Sequence, residues 1–273
     1  MSNLSLRLIS AAVLILPVLA LVIWSPPSAF SAVAVLLAAV AGLELGSITL
    51  PDELLSRKPL VALLSAFCCA AVAAGTYIEE PTTALHALVF ALLPLGCLIF
   101  MLGRVSPART VPAALATCAG SLYFGGLWGC LSLLRSTDPD HGWRWVLLLL
   151  VATVLCDTLA YTFGRAFGRH KMAPRISPAK TWEGAFGGVL GVLAAVALAK
   201  AILIESLGWS DLVLLGVPLA IACQLGDLIE SFIKRGFGAK DSGKLIPGHG
   251  GLLDRCDGLL LGAPVVYLFS LFA

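Results

Sequence analysis

Charge is what this chain has least of. Its 273 residues include 18 Lys and Arg, 16 Asp and Glu and 4 His, so charged residues make up 12% of the total, where an average soluble domain carries roughly 25%. That shortage excludes a water-soluble globular fold. Long hydrophilic stretches are missing as well: the longest fall at about 165–183 and 230–250, too short for a soluble domain. None of the eight cysteines forms a Cys-x-x-Cys pair, which removes the usual signature of a zinc ribbon or a dithiol redox site. Cys68, Cys69, Cys97, Cys118, Cys130, Cys156, Cys223 and Cys256 lie in or beside apolar runs and read as small buried hydrophobes kept reduced. There is no low-complexity tract, internal repeat or heptad seam. The net charge is only +2, and nothing points to nucleic acid as a partner.

What is there is oil, 59% of the residues. A helix needs about 20 apolar residues to cross about 30 Å of hydrocarbon. Nine runs meet that measure, at about 6–24, 29–50, 60–78, 83–102, 111–134, 143–164, 184–204, 209–229 and 251–273. The first begins after Arg7 but lacks a small-x-small cleavage site, so it is expected to be a helix and not a signal peptide. The expected fold is therefore an all-α, polytopic integral membrane protein of about nine transmembrane helices. It divides into residues 1–58 with helices one and two, 59–140 with helices three to five, and 141–273 with helices six to nine. Counting the spans with the N-terminus in the cytoplasm puts all but Arg135, Arg144 and Lys200 of the 18 Lys and Arg on the cytoplasmic side. By the positive-inside rule the N-terminus is inside and the C-terminus outside, in the cytoplasmic (inner) membrane.

Spacing then gathers the remaining polar residues into one layer. Asp157, Tyr161 and Arg165 stand at i, i+4, i+8 at the inner end of the sixth run, and "SPAKTWEG" (177–184) opens the seventh. Asp227, Glu230, Ser231 and Lys234 follow one face off the eighth, and Asp254 and Asp257 share a face in the first turn of the ninth. A transporter would spread such residues around the midplane. Polarity confined to one side points to a membrane-embedded enzyme with a cytoplasmic substrate. Glu44, in the second run, is an ionisable residue at membrane depth, and snorkelling, a structural pair and function all stay open for it. Gly187, Gly191 and Ala195 have the small-xxx-small spacing of close helix packing.

The densest stretch is "KDSGKLIPGHGGLLDRCDG" (240–258). Several carboxylates in a low-dielectric layer need cations or shared protons. An oxygen-only ligand set suits Mg²⁺ or Ca²⁺ and disfavours zinc, with Asp227 and Asp254 the leading ligands. Lys234, Arg235, Lys240, Lys244 and Arg255 offer phosphate-binding charge, and Gly243, Gly248, Gly250 and Gly251 let backbone N–H groups approach an anion near a helix start. Metal, cations and a glycine-rich turn together describe phosphoryl or nucleotidyl transfer.

"SFIKRGFGAKDSGKLIPGHGGLLDRCDG" (231–258) resembles the signature of the phosphatidate cytidylyltransferases, or CDP-diacylglycerol synthases, and "CDTLAYTFGRAFGRHKMAPRISPAKTWEG" (156–184) resembles the block that precedes it. The resemblance implies transfer of CMP from CTP to phosphatidic acid, giving CDP-diacylglycerol and pyrophosphate, with Mg²⁺ as cofactor and the active site facing the cytoplasm. It implies metal binding by Asp227 and Asp254, and catalytic contributions from Lys234, Arg235, Lys240, Asp241, His249, Arg255 and Asp257. Substrate binding is implied for Ser177, Lys180 and Thr181 in a phosphate-contacting loop, with Asp157, Gly250 and Gly251 beside them. CTP, phosphatidic acid and membrane lipids are the expected partners, and a homodimer fits both the Gly-rich spans and the resemblance. The rival readings are an ether-lipid phosphate cytidylyltransferase, a CTP-dependent isoprenoid alcohol kinase and a transporter.

Overall fold

A computed structural model describes residues 15–50, 52–74, 105–243, 245 and 250–273. In chain order the longer helices are α1 (Ile15–Trp24), α2 (Pro27–Thr49), α3 (Lys58–Ala74), α4 (Pro107–Ser136), α5 (Gly142–Phe167), α6 (Trp182–Ile202), α7 (Gly216–Gly236) and α8 (Leu253–Ser270). Proline opens α2 and α4, where its missing N–H would have no partner in any case. The Thr181 hydroxyl accepts from Gly184 N at 3.2 Å and so caps α6.

Among the described residues six helical segments are long and apolar enough to cross a membrane: Pro27–Thr49, Leu54–Val72, Pro107–Ser136, Gly142–Phe167, Trp182–Ile202 and Asp211–Gly236. This is a membrane protein, and six of the nine expected runs coincide with these segments. Of the others, 6–24 is described only from Ile15 onward, and 83–102 lies outside the described residues. The run at 251–273 is α8, an 18-residue helix that carries Asp254, Arg255 and Asp257 in its first turns. Leu36, Leu63, Phe67, Val154, Phe186 and Ile202 are exposed on the helix surfaces. In water such a surface would be unfavourable, whereas hydrocarbon solvates it.

One buried cluster runs through the molecule from Val22 on α1 to Val266 on α8. The α2, α3 and α4 helices pack on one another, α5 pairs most extensively with α6, and α8 contacts α4, α5 and α7. Glycine decides how near two of these pairs come. A Cβ at Gly187 would lie 2.7 Å from the Leu159 carbonyl oxygen, and one at Gly191 2.7 Å from the Leu155 carbonyl carbon. The small-residue stripe is thus the α5–α6 contact and is occupied within the chain. A Cβ at Gly258 would meet the Cys223 carbonyl oxygen at 2.9 Å. This close crossing of α7 and α8 brings Asp227 beside Asp257.

The structure corrects the all-α expectation at one place. Lys171–Ala173 (β1) and Ser177–Thr181 (β2) form an antiparallel hairpin where a loop was expected. The local cause is "APRI": Pro174 takes the second position of a β-turn closed by Ile176 N donating to Ala173 O at 3.1 Å. Because β2 runs straight into α6, the hairpin fixes where Lys180 stands relative to that helix.

Candidate active site

The charge cluster is built outward from α7 and α8. Along α7, Asp227, Glu230, Ser231 and Lys234 repeat at helical spacing. The Ser231 hydroxyl donates to Asp227 Oδ1 at 3.3 Å, while Glu230 and Lys234 turn into the protein, 2% and 8% exposed. Lys234 Nζ lies 2.9 Å from Glu230 Oε1 and pairs with Asp254 Oδ1 on α8. The Glu230 oxygens make no hydrogen bond of good angle among the described residues, so their contact with Lys234 is electrostatic. Two buried or half-buried carboxylates therefore share one ammonium, and charge balance there depends on it.

Asp254 is the most heavily engaged carboxylate. Besides Lys234, it receives Ser242 N at 2.9 Å, the Ser242 hydroxyl at 2.8 Å and Gly251 N at 2.9 Å, all on Oδ2. Gly250 has φ of +86° and its Cβ would lie 3.0 Å from that oxygen, so the chain folds onto Asp254 at a position suited to glycine. Asp227 is held differently: Lys180 Nζ, reaching across from β2, lies 2.6 Å from Asp227 Oδ2 and 3.5 Å from the Gln224 carbonyl oxygen.

Two cavities meet at these residues. One, of about 540 Å³, is lined by Asp157, Asp227, Lys234, Asp241, Gly250, Asp254, Arg255 and Asp257. The other, of about 470 Å³, lies between α5, α6 and the hairpin; Ala160, Tyr161, Gly164, Met172, Ala179 and Ala185 give it a mainly apolar wall. Asp157 and Asp227 belong to both. Tyr161 at the second cavity is exposed and accepts from Arg165 Nη1 at 3.1 Å, and Trp182 and Phe186 are exposed in the first turns of α6.

Most of the expected site residues converge here. Asp157, Asp227, Lys234, Asp241, Gly250, Asp254, Arg255 and Asp257 line the polar cavity, and Ser177, Lys180 and Thr181 the apolar one. Gly251 contributes its backbone N–H to Asp254. Two of them face elsewhere. Arg235 donates from Nε to the Ile176 carbonyl at 3.4 Å and from Nη1 to the Ala239 carbonyl at 3.2 Å, tying the end of α7 to the hairpin, and Lys240 is exposed outside both cavities. The Thr181 hydroxyl accepts from Gly184 N as the α6 cap. His249, Lys244 and Gly248 lie outside the described residues. Two acidic residues were absent from the expected site. Glu230 was legible as lying on the right face of α7 but not as the buried partner of Lys234, and Glu44 reaches in from α2.

The donor chemistry fits a hard cation. Among the described residues, five aspartates and no histidine or cysteine line the polar cavity. Among the described residues no three such groups converge into a preformed cage, but Mg²⁺ does not need one, since it keeps several waters and takes one or two carboxylates together with substrate phosphates. Asp227 and Asp254 are the carboxylates that would hold it. Each now faces a lysine, so a cation at either would compete with Lys180 or Lys234 for the same oxygen.

Comparison with other proteins agrees with this chemistry. Residues 5–273 match the profile described as the Cytidylyltransferase family. A phosphatidate cytidylyltransferase of Brucella abortus is 43% identical over 183 residues, covering 67% of this chain and 65% of the relative. One from Mycobacterium tuberculosis is 41% identical over 130 residues, 48% of this chain and 39% of the relative. One from Thermotoga maritima is 33% identical over 273 residues, 98% of this chain and 96% of the relative. The chain thus spans just under two thirds of the length of the Brucella protein. With the match running over nearly its whole length and Lys234, Asp241, Asp254, Arg255 and Asp257 of the signature gathered about one cavity, this chain belongs to the cytidylyltransferase family.

Proposed function

We propose that this chain transfers CMP from CTP to phosphatidic acid, yielding CDP-diacylglycerol and pyrophosphate, as the names of its relatives suggest. The observation that carries this reading is the junction of an apolar and a polar cavity at Asp157 and Asp227. A lipid phosphate keeps its acyl chains in hydrocarbon while its phosphate meets a water-borne nucleotide. The cavity beside Tyr161 and Met172 suits the first, and the one holding Asp254 and Arg255 suits the second.

In the reaction an ionised phosphatidate oxygen attacks the α-phosphorus of CTP, the new P–O bond forms in line with the one breaking, and pyrophosphate leaves with that bond's electrons. The nucleophile is already deprotonated at neutral pH, so no general base is required. The chain's residues supply charge and position. Lys180 and Arg255 offer positive charge to the phosphates at the junction, Ser177 offers a hydroxyl beside them, and Lys234 holds Asp254 in place. Gly250 and Gly251 let the backbone approach closely, while Asp157, Asp241 and Asp257 set the negative potential of the polar cavity. Mg²⁺, bound through Asp227 and Asp254, would neutralise phosphate charge as it develops on the leaving group.

The experiment is pyrophosphate release by the purified protein in detergent with CTP, phosphatidic acid and Mg²⁺, each omitted in turn. Release that needs all three supports the reading. CDP formed with a lipid alcohol would replace it by a kinase, and neither product would leave a transporter or scaffold.

The same reading places the N-terminus and both cavities on the cytoplasmic side of the cell membrane, with nine spans. It is supported by the distribution of Lys and Arg. Lys240 and Arg175 are exposed, whereas Ser242 is buried, so they are the positions to probe. Cysteines introduced at Lys240 and Arg175 are expected to react with a membrane-impermeant maleimide only after the cells are opened. Labelling of intact cells at either would reverse the orientation.

A further inference from the structure

The signature residues all lie in the second half of the sequence, yet one carboxylate from the first half reaches them. Glu44, near the end of α2, is 7% exposed. Its Oε1 accepts from Leu252 N at 2.8 Å; its Oε2 accepts from Leu253 N at 2.9 Å and from the Ser242 hydroxyl at 3.1 Å. Leu252 is the N-cap position of α8 and makes no side-chain cap of its own. A carboxylate delivered from another helix thus does what a capping residue would do: it takes two orphan N–H groups and sits at the positive end of the helix dipole.

The contact does not stop at the cap. The Ser242 hydroxyl lies between two carboxylates, 3.1 Å from Glu44 and 2.8 Å from Asp254 Oδ2, and Ser242 N also donates to Asp254. The chain closes tightly around Glu44: a Cβ at Gly251 would lie 2.6 Å from Oε2 and one at Gly243 2.8 Å from Oε1. Of the three donors on Asp254 Oδ2, two come from Ser242, whose hydroxyl also contacts Glu44. The third comes from Gly251, packed against Glu44.

We infer that Glu44 is a positioning residue for CMP transfer. By clamping Ser242 and the start of α8, it sets the orientation of Asp254 without touching substrate. This rests on the function proposed above. A glutamine at 44 has the same shape but only one accepting atom, so its amide nitrogen would confront Leu252 N–H or Leu253 N–H donor to donor. Misplacement of a reacting group's support by about 1 Å can cost on the order of 100-fold in rate.

The test measures Glu44→Gln and Glu44→Asp against the parent protein in detergent, by steady-state kinetics and by amide hydrogen exchange without CTP, lipid or Mg²⁺. Glu44→Gln is expected to lower kcat about 100-fold with KM for CTP changed less than about threefold. Exchange should rise at Leu252, Leu253 and Ser242 and stay unchanged in α5 and α6. Glu44→Asp, which keeps the charge but reaches fewer donors, is expected to recover part of kcat. Leu45→Ala controls for lost stability, since it removes a buried side chain from the same helix; it should lower the melting temperature while keeping kcat. Parental kcat in Glu44→Gln, unchanged exchange at Leu252 and Leu253, or a rise in exchange throughout the protein would each overturn the inference. If the parent itself fails to turn over CTP, the functional reading falls instead, and the exchange data alone decide whether Glu44 holds this segment.

Discussion

Asp254→Asn is expected to lower pyrophosphate release by at least about a thousandfold in a protein that still folds, the upper range for removal of one preorganised electrostatic group. The reason lies in what surrounds the carboxylate. Oδ1 faces the Lys234 ammonium and Oδ2 accepts from two backbone amides and a hydroxyl. Whichever way an asparagine turns, its NH₂ group meets either a cation or an N–H donor. It also removes one of the two carboxylates through which Mg²⁺ would be held. The fold should survive, since the substitution is isosteric and the α7–α8 crossing is set by Gly226 and Gly258, not by Asp254. Pyrophosphate release and thermal unfolding of the same preparation check both halves. A folded variant with parental turnover would remove Asp254 from the mechanism.

The largest loss of stability is expected from Lys234→Met. Its ammonium stands between Glu230 and Asp254, and Glu230 is almost wholly enclosed. Methionine fills similar space but leaves a buried carboxylate without a cation. Breaking a buried pair from one side costs about 3–5 kcal/mol, because the remaining charge is uncompensated. Adding Glu230→Gln should then recover a substantial part of the loss, since it removes the stranded charge. Thermal or denaturant unfolding of the two variants and their double mutant decides the matter. If the second change adds to the first loss, Glu230 is stabilised by something other than Lys234.

Much of the polar cavity's lining is legible in the sequence. The i, i+7 and i, i+3 spacings put Asp227 with Lys234 and Asp254 with Asp257 on common faces, and these residues line one cavity. The glycine stripe of α6 was read as packing, and it packs on α5. Other parts were not legible, for specific physical reasons. Lys234 and Arg235 are adjacent in sequence, so they project about 100° apart on a helix. Only Lys234 turns inward, and Arg235 instead joins α7 to the hairpin. The strand pairing of Lys171–Ala173 with Ser177–Thr181 arises from a proline turn inside a stretch too polar and short to show alternation.

Composition and period therefore determined what kind of molecule this is. Too little charge for water and enough apolar length for hydrocarbon make it a membrane protein, and helical spacing sorts its few ionisable residues into faces. Which faces meet was decided only in the tertiary structure. Glu44 reaches Leu252 and Leu253 over 208 and 209 residues of chain, and Lys180 reaches the Gln224 backbone, three residues before Asp227, over 44. Local periodicity carries no record of such separations. They depend on how closely helices approach, and that is set by where a side chain is missing, as at Gly191, Gly226 and Gly251.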